Sequence, residues 1–106
     1  MSKLHFIELK GNSRQRGQQH GRLLKSPIER AVEFYRWFFR HHLGLEPEAL
    51  RQRAAAFIEP TQRVSPLLFD EYEGIAEGSG QTLEDILVLS GRYEITFETV
   101  ALGDCS

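Results

Sequence analysis

Between positions 24 and 43 the apolar residues recur at helical spacing. Leu24, Ile28, Ala31, Tyr35, Phe38 and Phe39 form one stripe, with Val32 and Leu43 beside it. This is the strongest periodicity in the chain and predicts a helix that stops at Gly44. Ser26-Pro27-Ile28-Glu29 has the form of a capping box with Pro in the first turn, so it either starts that helix or kinks a longer one. Upstream, Gly11-Asn12-Ser13 is a turn in which Asn12 or Ser13 can cap the helix segment that follows it. Gly17 and Gly21 of that segment lie four apart, on one side, where a second backbone can approach closely.

Further along, Pro47 opens a third helix through Ala54 and Phe57, ending around Glu59-Pro60. Ser65-Pro66 opens a fourth, with Leu67, Leu68, Tyr72, Ile75 and Ala76 as its apolar stripe and Gly78 as its stop. Thr82-Leu83-Glu84-Asp85 is a capping signature for a fifth helix through Ile86, Leu87 and Leu89. Two segments have a different period. Leu4, Phe6 and Ile7 predict a short opening strand, and Ile95-Thr96-Phe97-Glu98-Thr99-Val100 alternates with period two in β-branched residues. The expected fold class is therefore α+β, about five helices with a strand at each end. Two isolated strands need partners to be stable, so the rest of their sheet is expected outside this chain.

Composition narrows the picture. With 106 residues the chain has the size of one small domain or part of a larger one. A single Cys excludes an intrachain disulfide framework and a multi-thiolate metal centre, and no metal or bound cofactor is expected. No apolar run approaches the roughly 20 residues that span a bilayer, and MSKLHFIELK lacks the apolar core of a secretory signal. The expectation is a soluble, cytoplasmic protein with no membrane partner. The net charge of -2 conceals an asymmetry: residues 1–53 carry eleven basic and five acidic side chains, and residues 54–106 two and ten. The arginines are dispersed among apolar positions, so attraction between the halves is expected and a nucleic-acid partner is not.

The one Cys stands in Leu102-Gly103-Asp104-Cys105-Ser106. Two readings are open. It is a chance thiol near a frayed end, or it is a self-processing nucleophile. A thiol next to a peptide carbonyl can attack it, shift the acyl group from nitrogen to sulfur, and be released by hydrolysis as a new N-terminal Cys. The freed α-amine, with an ordinary pKa of about 7.7–8.0, then serves as a base beside the thiol. Gly103 would permit the unusual backbone such an attack requires.

Four stretches also carry a resemblance: residues 11–21 (Gly-Asn-Ser-Arg-Gln-Arg-Gly-Gln-Gln-His-Gly), Glu73-Gly-Ile-Ala-Glu-Gly-Ser-Gly80, Thr82-Leu-Glu-Asp-Ile-Leu87 and Ser90-Gly-Arg-Tyr-Glu94. In order and spacing they resemble the acyl-coenzyme A:isopenicillin N acyltransferase-like proteins, a branch of the autoproteolytic cysteine N-terminal nucleophile hydrolases. The resemblance implies a precursor cut between Asp104 and Cys105, with Cys105 as the catalytic nucleophile. It further implies residues 1–104 as an α-chain-like portion of one hydrolase domain, and 105–106 as the start of a β chain whose remainder is not in this sequence. It implies an αββα sandwich assembled from both, acting on amide or thioester bonds of a small acyl substrate. The fungal penicillin-making members carry Gly before and Thr after the nucleophile, where this chain has Asp104 and Ser106.

Other residues are expected to have structural roles. His41-His42, adjacent at a helix end, face different directions and make a poor metal pair. His20 is expected to pack or hydrogen-bond. Arg92 and Glu94 are expected to form a structural ion pair or help arrange the cleavage arm, and Asp70, Glu71, Glu73 and Glu77 to form a solvated helix face. The aromatic run of Phe34, Tyr35, Trp37, Phe38 and Phe39 is too wide for one face, so part of it is expected to meet another chain or layer. The alternative to the enzyme is a small helical protein-interaction module without catalytic activity, docking through that aromatic helix.

Overall fold

Backbone chemistry accounts for most helix boundaries in the computed structural model, which describes residues 11–101. These form six helices: α1 (Ser13–Leu23), α2 (Lys25–Leu43), α3 (Pro47–Ala55), α4 (Ile58–Val64), α5 (Pro66–Ser79) and α6 (Leu83–Ala101). Asn12 caps α1. Its side-chain oxygen accepts the Gln15 N–H at 2.8 Å, and the Gln15 side chain accepts the Asn12 N–H at 3.1 Å. The capping box read at Ser26 is not used, because α2 already begins at Lys25. Pro27 acts differently. It has no N–H for the Leu23 carbonyl and its ring crowds that group, so the helix breaks at Leu24 (φ -110°, ψ 27°) and resumes as α2. Pro60 similarly lacks an N–H for Ala56, and the expected third helix divides at Ala56-Phe57 into α3 and α4.

Left-handed glycines end two helices, Gly44 (φ 65°) after α2, as the sequence suggests, and Gly80 (φ 76°) after α5. Gly80, not Gly78, is the stop. Thr82 Oγ accepts the Asp85 N–H at 3.1 Å and starts α6. The main core brings together Phe39 and Leu43 of α2, Leu45 of the connection, Leu50 and Ala54 of α3, and Leu87, Val88 and Ile95 of α6. Tyr35, Phe38 and Phe57 pack around it. On α5 the buried residues are Phe69, Gly74, Ala76 and Ser79, whereas Leu67 and Leu68, placed by periodicity on the apolar stripe, are exposed.

The α+β expectation is overturned: among the described residues there is no strand, and the fold is all-helical, not a portion of an αββα sandwich. Residues 95–100 continue α6. Leu87, Val88, Gly91 and Ile95 repeat at three and four positions, and Ile95 is fully buried in the core. The helix penalty of a β-branched residue is only a few tenths of a kcal/mol, while burying one such side chain contributes about 2 kcal/mol. Packing therefore outweighs the period-two pattern. The predicted opening strand at Leu4, Phe6 and Ile7 lies outside the described residues. None of the described helices is long and apolar enough to cross a membrane.

The closest helix pair is α1 with α5. Gly17 and Gly21 of α1 meet Gly74 and Gly78 of α5 backbone to backbone. A Cβ placed on each would lie 2.1–2.4 Å from a carbonyl oxygen of the facing helix: Glu71 and Ile75 for the first two, Arg14 and Gln18 for the others. The second and first stretches of the sequence resemblance are thus the two sides of one glycine interlock.

Candidate functional site

Arg14 sits beside that interlock and faces two α5 carboxylates. Its Nε donates to Glu77 Oε1 at 3.0 Å and its Nη1 to Glu73 Oε1 at 3.1 Å, while Nη2 donates to Glu77 Oε2. Gln18 Nε2 also donates to Glu77 Oε1, at 2.8 Å. The hydrogen bonds from Arg14 and then Gln18 hold the Glu77 carboxyl down at about 2, against an ordinary 4.5, and Arg14 is raised in return, chiefly by its hydrogen bond with Glu77. Glu73 and Glu77, expected on a solvated face, remain partly exposed and also bridge α5 to α1. Arg36 of α2 likewise donates from Nη2 to both Asp85 oxygens of α6, at 3.0 and 2.9 Å. The basic first half and acidic second half attract one another within a single fold.

A carboxylate held below its ordinary range stabilises the folded state above its unfolded-state value. That contribution is lost as pH falls from about 4.5 toward 2. A carboxyl-carbon NMR titration is expected to show Glu77 with a midpoint near 2. Arg14→Gln is expected to return it toward the ordinary value, and an unmoved midpoint would contradict the pairing.

Two shallow grooves mark the surface. The first, about 160 Å³, lies between α2, α3 and α6 and is lined by Arg36, Leu50, Arg51, Glu84, Asp85 and Val88 among others. Its guanidinium groups are committed, Arg36 to Asp85 and Arg51 to Glu48 at 3.1 Å. The second, about 190 Å³, is lined by Phe57, Thr61, Leu68, Tyr72, Leu87, Ser90 and Gly91. Ser90 Oγ donates to the Ile86 carbonyl at 3.0 Å, and neither a histidine nor a carboxylate lines this groove. Both fall below the roughly 300 Å³ at which small-molecule pockets begin. Among the described residues no three metal-ligating side chains cluster.

Above the second groove α6 bends. Gly91 (φ -107°, ψ 17°) is the one non-helical position inside it, and the preceding Ser90 turns its hydroxyl back on the helix. A Ser-Gly pair is a recognised cause of a helix kink, and this signal was present in the sequence. Just past the bend Arg92 donates to the Leu89 carbonyl and places its guanidinium 5.5 Å from the Tyr35 ring centroid of α2. Arg92 thereby ties the second half of α6 to α2. Glu94, its expected companion, is on α6 by its backbone, and its side chain lies outside the described residues.

Gly103, Asp104 and Cys105, the expected cleavage site and nucleophile, lie outside the described residues. His20 lies half-buried on α1, and His41 and His42 are exposed at the end of α2, where Trp37 packs on both rings at 5.3 and 5.2 Å. No protein-family model, curated protein or solved structure matches this chain.

Proposed function

We propose that this chain is the N-terminal portion of an autoproteolytic cysteine hydrolase or acyltransferase, with a helical body that carries the nucleophile on the segment following α6. Support comes from the joint use of the four stretches that carry the resemblance. The first two interlock at Gly17, Gly21, Gly74 and Gly78. The last two form the capped start and the kink of α6, the helix that precedes Cys105.

In this reading the Cys105 sulfur attacks the Asp104 carbonyl carbon, and the peptide C–N bond gives way to a thioester. Water then cleaves the thioester, leaving the Asp104 carboxylate and a free α-amine on Cys105. That amine takes the thiol proton as the sulfur attacks an amide or thioester carbonyl of a small acyl substrate. The amine or thiol of the substrate leaves, and water or a second amine accepts the acyl group from the acyl-enzyme. The partner is the C-terminal remainder of the same precursor, which would supply the oxyanion donors and most of the pocket.

Mass spectrometry of the continuous gene product tests this. Wild type is expected to yield two fragments divided between Asp104 and Cys105, and Cys105→Ala to remain intact. A wild-type product with that bond whole after prolonged incubation would refute the proposal. The reading as an interaction module rests on a separate observation, the exposure of Phe34 and Trp37, and would stand if cleavage failed.

A further inference from the structure

The outward face of α2 is aromatic. Val32 and Phe39 are buried, and about half a turn away Phe34 and Trp37 are 51% and 49% exposed. Their rings lie 6.1 Å apart, and Trp37 continues to His41 at 5.3 Å, forming a ridge along the helix. A helix surface directed away from its own core ordinarily carries polar residues, and an aromatic ridge there marks a contact surface.

The charges beside the ridge indicate what covers it. Along one flank four exposed residues follow in the order Glu29, Glu33, Arg36, Arg40, two acids and then two bases, at spacings of four, three and four. On a helix these positions form a single edge. Such an edge is complementary to itself only when the second helix runs antiparallel. A twofold axis between residues 36 and 37 sets Glu33 of one copy against Arg40 of the other, twice, whereas in a parallel pair this edge meets the opposite flank of the partner. Glu29 and Glu33 have no ion pair among the described residues. Among the described residues Arg40 pairs with exposed Glu46, at 3.3 Å, an interaction that exchanges at little cost. Arg36 is held by Asp85, so Arg40 is the cation available to Glu33.

We propose that α2 is an isologous, antiparallel interface between two copies of this chain. Phe34 and Trp37 form its buried centre, and Glu33 of each copy pairs with Arg40 of the other. Antiparallel helices place the same flank of both partners side by side, and a twofold axis repeats every contact. The proposal is independent of Cys105 and of the cleavage reading.

Sedimentation equilibrium of the full chain across a concentration series tests it, together with emission from Trp37, the only tryptophan. A reversible monomer–dimer equilibrium is expected, with Trp37 emission moving to shorter wavelength as dimer forms. Trp37→Glu is expected to weaken association at least about tenfold while leaving helical content and the monomer melting midpoint unchanged, as for a central aromatic in an interface. Glu33→Arg and Arg40→Glu are each expected to weaken the dimer, and the double variant to recover most of the loss. A chain monomeric at every concentration would overturn the proposal. So would a dimer with unmoved Trp37 emission, or a double variant no tighter than either single one.

Discussion

Gly74→Ala is expected to lower the unfolding free energy by about 3 kcal/mol, near the upper end for an added methyl in a packed interior. The new Cβ would fall 2.2 Å from the Arg14 carbonyl oxygen, 2.8 Å from the Gln18 nitrogen and 3.0 Å from the Gly17 Cα. All three are backbone atoms of α1, so a rotamer change cannot relieve the overlap. The helices must separate, and that loosens the matching contacts at Gly17, Gly21 and Gly78 together with the Arg14–Glu77 bridge. Alanine returns about 1 kcal/mol through its helix propensity, so the steric cost exceeds the net loss by that amount. Gly44→Ala is the control. No atom lies within 4 Å of its Cβ position, and only the left-handed backbone (φ 65°) resists the change, at about 1 kcal/mol. Urea unfolding monitored by circular dichroism measures both. Equal, mild effects at the two sites would contradict the interlock.

Ile95→Ala is expected to cost about 3 kcal/mol, by loss of transfer free energy and the cavity left behind. Ile95 is fully buried with Leu87 and Val88 of its own helix and Phe39 and Leu50 opposite. Because alanine is the better helix former, the sign of the effect separates packing from local propensity. Ile95→Leu, of equal volume and without β-branching, is expected to cost less than about 1.5 kcal/mol. A strand residue chosen for β-branching would tolerate alanine and leucine in the same order of difficulty but would leave helical content unaltered. Here Ile95→Ala is expected to lose α6 helicity in a partly unfolded population at elevated temperature, and thermal unfolding followed at 222 nm reads it. A loss below 1 kcal/mol would place Ile95 outside the core.

Signals that act within a few residues were legible before the fold was known. The Asn12 cap, the glycine at the end of α2, the prolines that open α3 and α5, and the Thr82 cap all reflect backbone donors and acceptors satisfied locally. The close approach promised by Gly17 and Gly21 was also legible, although not its partner. Breaks at Leu24 and Ala56 follow from the missing N–H of Pro27 and Pro60, yet the same residues read equally well as a helix start and a helix stop. Nothing in either motif distinguishes those outcomes.

Of the candidate site, the sequence supplied the residues and the structure supplied only part of their setting. Arg92 is found against Tyr35 and the Leu89 carbonyl, contacts that its neighbours in sequence do not indicate. The second groove joins Phe57 of the α3–α4 connection to Tyr72 of α5 and Leu87 of α6, a juxtaposition that no local pattern encodes.

By itself, then, the chain determined where most helices begin and where α2 ends, because caps, proline and left-handed glycine act over one or two turns. Which faces are buried, and whether residues 95–100 are helix or strand, was decided only in three dimensions. Leu67 and Leu68 match a helical stripe but remain exposed, while Gly74 and Gly78 turn toward α1. A short period-two run differs from helix by tenths of a kcal/mol per residue, and the burial of one isoleucine among side chains from distant positions is worth several times that.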